Sequence, residues 1–271
     1  MRLKVRKHSI KRKILISITM FFIGLILSFK YLENKKIEIN NKYNDLLLER
    51  IFNNKILLDK KEKVKEEEYL EPLIYIYNTH DQEEYSSNIL FNYTPTVKIV
   101  SSILKEEFNK ENIKTIIEER SIKELLNNNN WTYSNSYKAS RIYLDEIKEK
   151  YPSIEYFIDV HRDSLSKSKT TVTINDKDYA KILFIVGLEN DNYESNLNFT
   201  EQINNKLNEK YPNLSKGILK KSGPGVNGVY NQDISDKSIL IEIGGYENNI
   251  YEVLNATLAF KECYLEVLNE R

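Results

Sequence analysis

Ile154–His161 reads IEYFIDVH, and Leu73–His80 reads LIYIYNTH. Each is a short run rich in β-branched and aromatic residues that ends on a histidine. A run that is apolar at nearly every position, not at alternate ones, fits a strand covered on both faces. Burial on both faces points to helices on either side of a mostly parallel sheet. The neighbouring sequence continues the alternation. Val97–Phe108, Tyr137–Lys150, Asn196–Lys210 and Asn249–Leu268 have helical spacing, while Ile113–Ile117 and Ile239–Ile243 read as strands. Thr170–Ile174 and Lys181–Val186 read as the arms of a hairpin turning through Asn175-Asp176-Lys177-Asp178. Ser222–Tyr230, SGPGVNGVY, reads as a loop, and six of the eight glycines fall at Gly217 or later. The expected fold is a single three-layer α/β domain over residues 72–271, with a mostly parallel central sheet. Pro72 marks its start.

Upstream of that domain the charge is lopsided. Forty basic residues balance forty acidic ones, but residues 1–30 hold eight Lys/Arg and no acid. The remainder is therefore net acidic by about eight charges, counting formal charges. Seven of the eight basic residues precede Ile14–Phe29, sixteen residues without a charge. A spanning helix wants about 20 residues, which Tyr31 and Leu32 supply if Lys30 snorkels to the interface. The expected organisation is a basic cytoplasmic head (1–13), a single membrane anchor (14–32), a stalk (33–71) and an extracytoplasmic domain. In the stalk, Ile39, Tyr43, Leu47 and Ile51 step by four, as on a helix. A cleaved signal peptide is the competing reading, but Ser28-Phe29-Lys30-Tyr31-Leu32 offers it a poor cleavage site. A basic head beside an apolar run reads as topology, not as nucleic-acid binding. The single cysteine, Cys263, excludes an intrachain disulfide and a Cys-rich zinc site, and it lies on an apolar helical pattern as a packed core thiol does.

Chemistry-bearing residues gather at the predicted strand ends. The domain has two histidines, His80 and His161, each just beyond a strand. In open parallel sheets, ligands collect at the carboxyl ends of strands. Glu83 follows His80 by three residues, so a turn can carry it to the same side. His80, Glu83 and His161 make a two-histidine, one-carboxylate set, which leaves a fourth zinc position for water. Ordinary polar strand-end residues are the alternative. Glu242 lies inside the apolar strand ILIEI. A carboxylate there is costly unless paired or functional, and desolvation suits it to general-base work; an edge-facing Glu bonded to a loop amide is the alternative. Asp159 or Asp163 can hold a ring N–H of His161. Arg162 either binds a substrate carboxylate or pairs with Asp163. Tyrosines are many but scattered, and no stacking platform is evident. The chain lacks a P-loop, a dinucleotide glycine fingerprint and a G-x-S-x-G nucleophile elbow.

Six segments resemble, in order, the stage II sporulation protein P family: IYIYNTHDQEEY (74–85), SYKASR (136–141), IDVHRDS (158–164), LFIVG (183–187), YNQDIS (230–235) and LIEIGG (240–245). The resemblance covers about 75–271 and extends to the plan of head, anchor, linker and outer domain. It implies a zinc N-acetylmuramoyl-L-alanine amidase-like fold and activity on peptidoglycan. It also implies zinc held by His80, Glu83 and His161, with Glu242 as catalytic base. Arg162, Arg141 and Asn231 match motif positions near the site, and Arg162 is the expected aid to the oxyanion. A lytic transglycosylase and a membrane scaffold protein are the partners implied. Asn78 stands where the family's first motif carries a histidine, and Asp81-Gln82 where it carries small hydroxyl residues. Glu84 is a second candidate carboxylate ligand. A membrane-anchored wall-binding or scaffold protein without catalysis is the competing function.

Overall fold

The computed structural model describes residues 19, 20, 22–32, 35, 42, 45–49, 71–86 and 94–270. The chain divides into two compact units, 1–60 and 61–271. The described residues of the first unit are helical. The basic head, the first part of the expected anchor and nearly all of the stalk beyond residue 49 lie outside the described residues. Among the described residues, no helix is long and apolar enough to cross a membrane.

The second unit is the α/β domain that the strand and helix patterns predict. Its strands are β1 (Ile74–Tyr77), β2 (Thr115–Ile117), β3 (Tyr156–Asp163), β4 (Thr171–Ile174), β5 (Lys177–Ala180), β6 (Ile182–Gly187), β7 (Ser215–Lys221) and β8 (Lys237–Gly245). Its helices are α1 (Lys98–Lys110), α2 (Ile122–Asn128), α3 (Ser136–Lys150), the single turn α4 (Lys167–Thr170), α5 (Tyr193–Lys210) and α6 (Ile250–Asn269). Six strands form one sheet in the order β2-β1-β3-β8-β6-β7. Every pairing is parallel except β8 with β6, where the direction reverses.

Helices cover both faces. On one face Tyr75, Tyr77 and Phe157 pack with Leu144 of α3 and with Ile154 and Ile234. On the other face α6 is the central helix. Its Tyr264 packs against Phe108 of α1, Phe199 of α5 and Tyr156 of β3, while its Phe260 meets Phe184 of β6. All four residues of β1 are buried, which accounts for its unbroken apolar run. Asn249 caps α6, accepting from the Tyr251 and Glu252 amides, while Glu252 reaches back in a capping box. Cys263 is fully buried on that helix, and burial pushes its thiol up to about 12. It is the inert core thiol that its apolar surroundings predict.

Three elements depart from the sequence reading. The hairpin is β4–β5, a separate two-stranded sheet, and not a pairing of 170–174 with 181–186. Only Asn175 and Asp176 form its turn, with φ of 50° and 58°. A two-residue turn with both central φ positive matches the right-handed twist of a hairpin and suits Asn and Asp. Lys177 and Asp178 already belong to the return strand. β7, SKGILKK, carries too few buried apolar residues to read as a strand. It is an edge strand, where lysines discourage pairing with another chain. The seven-residue α2 is too short and polar to show a helical stripe.

Candidate metal centre

Parallel pairing sets the site. His161 of β3 lies beside Glu242 of β8 in register, so both side chains leave the same sheet face. Asp159 and Tyr77 share that face one step back, next to α3. The β3–β8 register shifts between His161 and Asp163. Such a bulge re-aims the strand end, as at many active sites. Gly245 closes the same edge: a Cβ there would stand 2.2 Å from the Leu165 carbonyl oxygen, so only glycine fits. Beyond β1 the chain turns back on itself, and the Glu83 amide donates to the His80 carbonyl at 3.1 Å.

That turn brings the predicted residues together. The His80 and His161 ring centroids are 5.2 Å apart, nearly perpendicular. His161 Nδ1 faces Glu83 Oε2 at 3.6 Å. The same carboxylate oxygen accepts the Arg162 backbone N–H at 2.9 Å, which aims it. Glu83 is thus the carboxylate that meets His161, whereas Glu84 is exposed. His161 Nε2 lies 2.9 Å from Asp159 Oδ2 but misses hydrogen-bond alignment, so this buried nitrogen has no hydrogen-bond partner. His80 Nδ1 is also buried without one.

The two imidazoles are tuned in opposite directions. Burial disfavours charge on both. For His80 burial wins, aided by neighbouring His161, and its pKa falls to about 4 despite nearby carboxylates. For His161 the Asp159 and Glu83 carboxylates outweigh burial and push it up to about 10. Glu242 is pushed up to about 7, first by burial and then by Asp163, while His161 and Lys216 oppose the rise.

Two imidazoles and a carboxylate are suitable donors for zinc. His80 Nδ1, buried without a partner, and His161 Nδ1 and Glu83 Oε2, facing across 3.6 Å, are features that a shared cation displacing the His161 proton would satisfy. Among the described residues, no group of three or more His, Cys, Asp or Glu side chains converges closely enough to hold a metal as the side chains stand. The donor set fits zinc by chemistry and by its unpaired atoms, and a closed cage requires further convergence of the rings.

A cavity of about 240 Å³ opens beside His80, lined among others by Thr79, Glu83, Ile122, Tyr133 and Arg162. Tyr133 stacks on the His80 ring at 4.4 Å and is 63% exposed. Tyr137 meets the same ring edge-on. These two tyrosines were illegible among nineteen, since only the fold of α3 and the turn before it brings them to His80. Arg162 lines the cavity, but its guanidinium donates to the carbonyls of Glu84 (2.6 Å) and Asp163 (3.0 Å), not to the Asp163 carboxylate. Arg141 pairs with Asp145 and Asp233. Asn78 is buried at the strand end. Its amide donates to the Val160 carbonyl at 2.8 Å and its oxygen accepts from Ser101 at 3.0 Å. It clamps the residue next to His161.

The Stage II sporulation protein P family matches residues 28–263. Stage II sporulation protein P of Bacillus subtilis (strain 168) is 32% identical over 203 residues, 72% of this chain and 51% of that protein. The chain therefore spans about half the length of this relative. Among solved structures, the CwlD amidase of Clostridioides difficile in complex with the GerS lipoprotein aligns with 73% of this chain and 100% of its own, at 13% identity and a TM-score of 0.47. An N-acetylmuramoyl-L-alanine amidase of Clostridium difficile 630 aligns with 74% and 97%, at 10% identity and a TM-score of 0.44. The family match spans most of the chain and the identity to the Bacillus protein covers nearly three quarters of it, so this chain belongs to the stage II sporulation protein P family.

Proposed function

We propose that the chain is a membrane-anchored, zinc-dependent peptidoglycan hydrolase that cleaves the amide between N-acetylmuramic acid and L-alanine during sporulation. One observation carries this reading: His80 and Glu83 face His161 at the carboxyl ends of β1 and β3, beside Glu242 of β8, with His80 Nδ1 buried and unpaired. His80, Glu83 and His161 would hold the metal. Zinc bound there supplies Lewis acidity, which polarises a carbonyl and brings the pKa of a water from 15.7 towards about 7.

The protein's own groups do the rest. Glu242, held near neutrality by burial, takes the proton from the attacking water and returns it to the leaving amine. A carboxyl titrating at about 7 is suited to both halves of that exchange. The Arg162 amide fixes Glu83, and the guanidinium adds positive charge to the cavity wall where negative charge develops. Tyr133 and Tyr137 pack around His80 and limit its rotation. Residues 14–32 anchor the chain, and the domain faces the cell wall. Peptidoglycan is its substrate, and a lytic transglycosylase and a membrane scaffold protein are its proposed partners.

A non-catalytic wall-binding role is the second reading. It is favoured by Asn78 in place of the family's histidine and by side chains that do not yet form a cage. Digestion of purified sacculi separates the two. The 271-residue chain should release peptides with new N-terminal alanine, stop on chelation and resume with zinc. Binding to sacculi with no release under any metal condition would establish the second reading instead.

A further inference from the structure

A buried chain of polar contacts leads away from His161 and joins four of the sequence segments singled out above. Asp159 is fully buried, and its Oδ1 accepts the Thr79 backbone N–H at 2.9 Å. Its Oδ2 is 2.7 Å from Thr79 Oγ1 and 2.9 Å from His161 Nε2. Thr79 Oγ1 is 2.9 Å from Ser140 Oγ on α3. Ser140 Oγ in turn accepts from Asn231 Nδ2 at 2.9 Å. Asn231 also donates to the Tyr137 carbonyl at 2.9 Å. Both Tyr230 and Asn231 have φ of 55°, a left-handed pair without glycine. Such backbone is held only where its surroundings demand it.

Counting hydrogens gives this chain a direction. An ionised carboxylate only accepts, so the single Thr79 hydroxyl hydrogen goes to Asp159. Ser140 Oγ lies 2.9 Å from Thr79 Oγ1 and 3.2 Å from the Tyr137 carbonyl; with the Thr79 hydrogen on Asp159, the Ser140 hydrogen takes the shorter contact to Thr79, and its oxygen accepts from the Asn231 amide. Every donor points towards Asp159. The remaining edge of Asp159 Oδ2 faces His161 Nε2, and an acceptor there wants a proton on that nitrogen. Held by a metal, the ring is neutral imidazole and carries one proton. Placing it on Nε2 leaves the Nδ1 lone pair facing Glu83 Oε2. The distance for the last bond is present, and turning the His161 ring into line would complete it.

We propose that Asn231, Ser140, Thr79 and Asp159 are positioning residues that hold the His161 proton on Nε2 and so present Nδ1 as a metal donor. This rests on the zinc reading above and gives Asn231, which matches a family motif position, a physical task. The arrangement follows the general rule that a metal-binding histidine gives its other N–H to a carboxylate or carbonyl, and that such partners are worth about 10–100-fold in metal affinity.

Zinc affinity of the 271-residue chain, measured by competition with a chromophoric chelator, tests the proposal without using catalysis. Circular dichroism checks folding of each variant. Asp159→Asn should weaken zinc by about 10–100-fold. Thr79→Val, which keeps shape and loses the hydroxyl, should weaken it in the same direction. Thr79→Ser, which restores the hydroxyl, should return it to the parent value, a rescue that loss of packing does not predict. The Thr79 pair decides the matter even if Asp159→Asn fails to fold. Folded Thr79→Val and Asp159→Asn that bind zinc as tightly as the parent would overturn the proposal while leaving the zinc reading intact. A parent chain that binds no zinc would overturn both.

Discussion

Strands β2, β1, β3 and β8 run one way; β6 and β7 run the other. Both halves share one sheet, and β6 buries apolar side chains as β1 and β3 do, while β7 buries none. Only the first half sends its carboxyl ends to the edge where His80, His161 and Glu242 meet. The reversed half brings amino ends to that edge, and its charged contribution there is Lys216, whose Nζ lies 2.5 Å from Asp163 Oδ2. Backbone direction, not sheet membership, divides chemistry from support. The last residues of β3 and β8 carry His161 and Glu242, and the turn after β1 carries His80 and Glu83, so the site sits on the carboxyl edge of the parallel half.

That division is open to attack from either side. Glu242→Gln, in the parallel half, should lower peptide release from sacculi by about 10²–10⁴-fold, the usual worth of a general base. It should also flatten stability against pH in the metal-free protein. Glu242 titrates at about 7 in the fold against an ordinary 4.5. A raised carboxyl pKa contributes stability that is present below about 4.5 and lost as pH rises through about 7. Denaturant melts of chelated protein should therefore lose this component of the pH slope in Glu242→Gln.

The reversed half should answer differently. Phe184 of β6 is fully buried against Phe260. Phe184→Ala should cost about 3–5 kcal/mol of stability, while zinc bound per folded molecule stays unchanged. A folded variant that lost zinc selectively would break the division. Asn78→Ala, back in the parallel half, removes the clamp on the Val160 carbonyl and strands the Ser101 hydroxyl. Leaving buried polar groups unpaired should cost about 1–3 kcal/mol, read as a lower denaturation midpoint. Lys216→Met should have the smallest effect. It removes a cation that opposes the rise of the Glu242 pKa, so the acid limb of the activity profile should move to higher pH.

The parallel half was also the more legible in sequence. LIYIYN and IEYFIDV announce doubly covered strands because nearly every position is apolar, and a histidine beyond each marks the ligand edge. Glu242 is marked by standing as a carboxylate inside ILIEI, and the family resemblance decides between a base and an edge-facing Glu bonded to a loop amide. The reversed half gave weaker signals: β7 lies at the sheet edge, where lysines replace the apolar residues that betray a strand. The β4–β5 hairpin was shifted because its two-residue turn is buried in a polar run of four. The network behind His161 was illegible for another reason. Thr79 meets Ser140 across 61 residues, and Asn231 meets Ser140 across 91. Local pattern carries no trace of such contacts. The family resemblance marked Asn231 without saying what it touches.

The central claim is that the carboxyl edge of the parallel half assembles a zinc site. Metal analysis of the zinc-supplemented, dialysed 271-residue chain and of folded His161→Ala tests it most directly. The account predicts one zinc per parent chain and its loss in His161→Ala with the circular dichroism spectrum retained. Equal zinc in both proteins, or none in the parent, would contradict it.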